Sequence, residues 1–266
     1  MNKNNAVRRF FALLSVDFYK LVRSVAFYVM FGVFSGLQIL TIVLTRVSNN
    51  LLEELYGESI LSSANFLFGS WLSYGNLGMF LVIFFAVFLC SEFRTHTIRN
   101  KVTLGYSRTC VYFASLAFTY LVTAFAVILS SVINAAVGIP LLGWEHTEFA
   151  LQYAFYAIFA LVPLVALIHT MSYGSQSLGI ALGLGLPLIV LLPTIFGMLS
   201  MFAFYDVQME WFTRIVFMAL EEFIPVALQA GESIKHLALN ATLSYLLWTA
   251  LFIVIGYFSF AKKEIK

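Results

Sequence analysis

The chain has 266 residues, of which 61% are hydrophobic and 11% charged, with a net charge of +2. A water-soluble globule carries roughly 25% charged residues, so the composition excludes that class. The small net charge gives no reason to expect a nucleic-acid partner.

The charges are clustered. The windows 24–45, 59–91, 109–144, 149–205 and 237–261 hold none, and they read as membrane spans. Runs such as Phe80-Leu81-Val82-Ile83-Phe84-Phe85 are continuously apolar, whereas membrane strands alternate. The predicted class is therefore an all-α membrane protein.

Before the first span, Val7, Phe10, Phe11, Leu14, Phe18, Leu21, Val22 and Val25 repeat at helical spacing while Asp17, Lys20 and Arg23 interrupt the apolar run. That pattern predicts an amphipathic helix over 1–23 lying along the inner membrane surface rather than a signal peptide. The first three spans follow at 24–45, 71–91 and 111–137. Window 149–205 has 57 residues, and as one helix would run roughly 85 Å against a hydrocarbon core of about 30 Å. The polar run Ser172-Tyr173-Gly174-Ser175-Gln176-Ser177 is the predicted break. It yields spans four and five at 150–171 and 178–204, and span six follows at 240–260. Segment 206–239 mixes Trp211, Ile215 and Phe223 with Glu221 and Glu222, which predicts short extracellular helices between spans five and six.

A cytosolic N-terminus puts 12 of the 15 Lys and Arg residues inside and ten of the 13 acids outside, as the positive-inside rule requires. Both termini are thus expected to be cytosolic, in a multi-pass protein of the cell membrane.

Catalytic and metal signatures are not expected. No Gly is followed by Lys, so a P-loop is missing, as are H-E-x-x-H and G-x-S-x-G. His96, His146, His169 and His236 are scattered without ligand spacing. Cys90 and Cys110 flank the first cytosolic loop, where thiols stay reduced. No proposed span has an Asp, Glu, Lys or Arg in its interior, which disfavours ion relays. Pro163 is predicted to bend span four. Gly179 and Gly183 form a G-x-x-x-G in span five, predicting either helix packing within the bundle or a subunit interface.

The loop 92–108 is basic, and residues 95–104 predict a short helix with Ile98, Val102 and Leu104 on one side and Arg94, Arg99 and Lys101 free to meet a partner. Glu92 and Arg108 are expected to orient it at the membrane boundary. Glu92-Phe93, Thr97 and Gly105-Tyr106-Ser107-Arg108 resemble the ABC-2 type transporter permeases, in which Glu-Phe or Glu-Tyr ends the second span and Gly-x-x-Arg precedes the third. The ending Phe258 to Lys266 resembles that family too. His96 stands where the family commonly has Gly, Ser115 where it often has Lys, and Glu264 for a more usual Asp.

The resemblance implies the permease subunit of an ABC exporter. It would work with separately encoded ATPase subunits, which bind ATP and Mg, and with a second permease copy, identical or related. Its implied cargo is a hydrophobic or amphipathic substrate such as an antimicrobial peptide, bacteriocin, toxic peptide, drug or lipid. Glu92, Arg94, Thr97, Arg99, Lys101 and Arg108 become the expected coupling residues. An ion-coupled secondary transporter and a non-transporting membrane scaffold or sensor remain the alternatives.

Overall fold

The computed structural model describes residues 3–56, 64–143, 150–203 and 235–263, and all the regular structure among them is helical. In chain order the helices are α1 (Lys3–Arg23), α2 (Val25–Tyr56), α3 (Ala64–Trp71), α4 (Met79–Arg94), α5 (Thr97–Thr103), α6 (Arg108–Ile133), α7 (Ile139–Leu142), α8 (Ala150–Ser175), α9 (Leu178–Ala203) and α10 (Lys235–Lys262). Single π-helical turns at Tyr74–Gly78 and Asn134–Gly138 join α3 to α4 and α6 to α7.

Among the described residues, five helical stretches are long and apolar enough to cross a membrane: Val25–Leu55, Leu67–Arg94, Arg108–Leu142, Ala154–Ser175 and Thr242–Lys262. The predicted fifth span coincides with α9, a helix of 26 residues whose fully described apolar stretch is Leu178–Leu191. Helix boundaries depart from the predicted ones where polar residues are tolerated at helix ends. The first span runs on past Arg46 to Tyr56, since Arg46, Asn50, Glu53 and Glu54 are exposed. The fourth continues through Ser172-Tyr173-Gly174 to Ser175, so the predicted break narrows to Gln176-Ser177. The helix of the predicted sixth span, α10, begins at Lys235, within the segment assigned to outer helices. The rest of that segment, 206–234, lies outside the described residues.

α8 is the central helix, packed against α4, α6, α9 and α10. Its closest neighbour is α10, and Gly256 makes that approach possible: a Cβ there would collide with the Tyr112 hydroxyl and the Thr170 side chain. Gly78 serves α4 in the same way, since a Cβ would come within 2.8 Å of Leu164 Cδ2. Pro163 is accommodated inside α8, and Tyr74 Oη donates to the Ala160 carbonyl at 2.6 Å in the turn whose hydrogen bonding the proline interrupts.

α2 is peripheral. Phe34, Gln38, Ile42 and Asn49 form a buried stripe, and Val29, Val33, Leu37, Leu40, Val43 and Val47 are exposed. Such a bare apolar face suits lipid as its solvent.

α1 packs on α6 with only part of the predicted apolar face. Leu13, Asp17 and Leu21 are buried, with Phe10, Leu14 and Phe18 against them, whereas Val7, Phe11, Val22 and Val25 are exposed. The apolar residues of α1 cover more than half its circumference, so periodicity alone did not reveal which arc meets the bundle.

Candidate functional site at the end of the bundle carrying α5

The α4–α5 corner turns at His96, which adopts the left-handed conformation (φ 55, ψ 18). α5 then ends in a Schellman turn, with Gly105 N–H donating to Val102 O at 3.0 Å and Tyr106 N–H to Lys101 O at 3.3 Å. Gly105 has φ +87, the conformation for which glycine is the unstrained residue. Ser107 caps α6 by accepting from Cys110 N–H at 3.2 Å. Arg108 turns back onto α10, donating to the carbonyls of Ala261 at 3.0 Å and Lys263 at 2.7 Å. There its charge opposes the negative end of that helix dipole. Gly105-Tyr106-Ser107-Arg108 thus stops one helix, starts the next and caps a third.

α5 is held from behind by ionic contacts. Lys101 Nζ lies 2.7 Å from Asp17 Oδ1 and 3.2 Å from Glu92 Oε2, and Lys20 Nζ lies 2.6 Å from Glu92 Oε1. Asp17, Glu92 and Lys101 are buried, and Lys20 closes the cluster toward solvent. Burial opposes the Lys101 charge, but attraction to Glu92 and Asp17 outweighs it and raises its pKa above the ordinary lysine value. Burial, reinforced by repulsion from Glu92, raises Asp17 above its usual range despite Lys101 and Lys20. Arg9 Nη1 adds a bond to the Gly105 carbonyl at 3.2 Å. Helices α1, α4 and α5 are joined as one unit.

The expected coupling residues therefore separate. Arg99 is exposed with Asn100, Thr103 and Leu104, while Thr97 is half-buried with its hydroxyl 3.0 Å from that of Thr95. Arg94 is exposed beside a different surface, described below. Two expectations need correction. Lys101 is not free to meet a partner, because it neutralises Asp17 and Glu92 inside the chain. Leu104 does not share the packed side of Ile98 and Val102 but is 78% exposed at the helix end.

Of the two roles expected of Gly179 and Gly183, helix packing within the bundle finds no support. A Cβ on Gly183 would meet nothing within 4 Å, and one on Gly179 only the Ser177 hydroxyl at 3.9 Å. Neither contributes a close approach within this bundle. Among the described glycines of α9, Gly185 is the one packed closely, since its Cβ would stand 3.1 Å from Ile168 Cδ1.

A cavity of about 580 Å³ opens between the end of α4, the α8–α9 corner and the chain's C-terminal residues. Arg94, His96, Gln176 and Lys263 line it, with Val87 and Leu178 supplying apolar walls. Lys263 Nζ also donates to the Gly174 carbonyl at the end of α8. A smaller hollow of about 260 Å³ lies between Arg9 and the segment Leu104-Gly105-Tyr106.

His169 is packed rather than poised. It is fully buried, stacks on Tyr173 at 4.3 Å and has Nε2 3.3 Å from the Ser115 hydroxyl.

Sequence reasoning missed Asp17, Lys20, Gln176 and Lys263. Asp17 carried a usable signal, since it falls at the centre of the series Phe10, Leu13, Leu14, Phe18 and Leu21 where an apolar residue belongs. The others had none before the termini and the α8–α9 corner were known to meet at one end.

Comparison with family models and with curated proteins finds no match for the chain.

Proposed function

We propose that this chain is the membrane permease subunit of an ATP-driven ABC-2 type exporter, with α9 as its fifth span, α10 as its sixth and both termini on the cytosolic side of the plasma membrane. Separately encoded ATPase subunits bind ATP and Mg and dock on α5. The cargo is hydrophobic or amphipathic, with antimicrobial peptides the preferred class, and a second permease copy, identical or related, completes the pathway.

The observation that carries this reading is the two-sided build of α5. Behind it, Lys101 is locked to α1 and α4. In front, Arg99 and Leu104 are exposed, beside the hollow lined by Arg9 and Tyr106. An isolated exposed leucine flanked by cations and next to a concavity suits a protein-docking surface, where a central apolar anchor supplies affinity and charges steer encounter. ATP acts on such a device by favouring one of two bundle arrangements through its differential affinity for them. A push on α5 reaches α1 and α4 together because the ion cluster joins all three. The left-handed corner at His96 adds support, since the permeases it resembles commonly carry Gly there.

The test is purification of the full chain from its native membrane in mild detergent. The expected product contains a protein with a P-loop and an ABC signature, in equal number with the permease, and hydrolyses ATP. Intact chain recovered with no ATPase, even after crosslinking in cells, contradicts the assignment.

A further inference from the structure

We propose that the cavity between α4 and the α8–α9 corner binds a phosphate ester, the head group of an anionic lipid or a soluble phosphate of similar size. The proposal rests on the membrane-spanning bundle and not on the exporter reading.

Charge comes first. Arg94 and Lys263 line the cavity together with His96, and no acidic side chain occurs among its described lining residues. Arg94 makes no ion pair or hydrogen bond among the described residues, so its guanidinium, a planar fork of donors suited to phosphate oxygens, is available. Ser177 and Leu178 place the N-terminus of α9 at the same wall; Ser177 N–H donates to Ser175 Oγ at 3.3 Å, and the positive end of the helix dipole favours an anion there.

Shape then argues for an amphiphile. Val87, Cys90, Ser91 and Arg94 all line the cavity, and their spacing of three, four and seven makes them one stripe of α4. That stripe climbs about 10 Å from an apolar to a cationic end. A lipid would set its head group against Arg94, His96 and Lys263 and its upper chain against Val87. The volume of about 580 Å³ falls in the range of about 300–1,000 Å³ used for whole small ligands, well beyond a bare ion. Basic pockets between helices at a membrane face are suited to anionic head groups.

Both non-glycine residues with positive φ among the described residues, His96 (φ 55) and Gln176 (φ 56), line this one cavity. Each stands at a helix corner where the backbone favours glycine. A polar side chain thus stands at both corners against the local conformational preference, as happens where strain serves a site.

The experiment is native mass spectrometry of the full chain in detergent with phosphatidylglycerol, phosphatidylcholine or glycerol 1-phosphate added. The parent should retain phosphatidylglycerol over phosphatidylcholine about tenfold, and Arg94→Gln should erase most of that preference. His96→Gly, which the backbone tolerates better than the parent, should weaken it without loss of thermal stability. Lys262→Gln, exposed beside the cavity but not lining it, should behave as the parent. Saturable glycerol 1-phosphate binding lost in Arg94→Gln, with no lipid preference, would support the phosphate site and identify its ligand as soluble. Equal retention of the two lipids with no glycerol 1-phosphate binding, or a preference undiminished in Arg94→Gln and His96→Gly, overturns the proposal.

Discussion

Lys101 on α5 meets Asp17 on α1 at 2.7 Å, joining helices at opposite ends of the first half of the chain. The contact is buried on both sides, and Glu92 shares the same ammonium. A buried charge left without its partner is strongly destabilising, by about 3–5 kcal/mol. Lys101→Met should therefore lower thermal stability in detergent by that order, while Lys101→Met combined with Asp17→Asn recovers part of the loss. Equal stability of Lys101→Met and the parent, measured by helix melting, would remove the cluster from the account.

The same cluster fixes a pH response. Asp17 is raised on docking by burial first and by Glu92 second, so the docked state binds this proton more tightly than the undocked one. Acidification through that raised range therefore stabilises docked α1. Lys101, raised through Glu92 and Asp17 against burial, contributes stability below its ordinary value and loses it only as pH climbs through the folded value. From about pH 7 to about pH 5, the protection of α1 amides, corrected for the pH dependence of intrinsic exchange, should stay constant or rise, and Asp17→Asn should abolish any rise. Lower corrected protection of α1 at the lower pH would reverse the sign.

Glycine substitutions should rank by what a Cβ would meet. Gly256→Ala forces atoms into Tyr112 and Thr170 and should cost about 1–3 kcal/mol as overpacking. Gly179→Leu with Gly183→Leu should leave the isolated fold unchanged, because nothing but Ser177 lies within 4 Å of either position. Crosslinking then reads any effect of that pair as one on association between copies. A melting temperature lowered as much by the Gly179 and Gly183 pair as by Gly256→Ala would contradict this packing.

The long apolar helices were legible because the charge-free windows beside Arg23, Glu92, Arg108 and Lys262 are each long enough, as a helix, to match the hydrocarbon thickness. The chain reversal near Gln176 was legible for the same reason, once 57 residues had to fold back. What stayed hidden depends on which side of each helix turns inward. The spacing of Gly179 and Gly183 carries no such information, and the bundle used Gly185 and Gly256 instead. Lys101 read as a solvated loop charge because its acid lies on α1, 84 residues away. The motif around Gly105 and Arg108 was visible, but its meaning as a turn, a cap and a clasp on α10 needed the C-terminal residues beside it.

Topology can be read with single cysteines, provided burial is respected. Native Cys90 is buried, so its silence toward a membrane-impermeant thiol reagent reports packing rather than sidedness. Cysteines placed at Asn100 and Lys262, both exposed at the end carrying α5, should label from one and the same side, the cytosolic side. Labelling of the two from opposite sides would break the common end that Arg108 and Lys263 assemble.

The docking claim is tested most directly by a photoreactive residue at Leu104 in the full chain within its native membrane. Leu104 is exposed at the tip of α5, whereas Ile128 is exposed on the side of a span. Irradiation should attach the ATPase to position 104, and Arg99→Glu should reduce that adduct about tenfold through loss of charge complementarity, leaving the fold intact. Position 128 should yield none. An ATPase that copurifies with the chain yet gives no adduct at 104, or gives the same yield at 128, would place docking elsewhere and contradict the account.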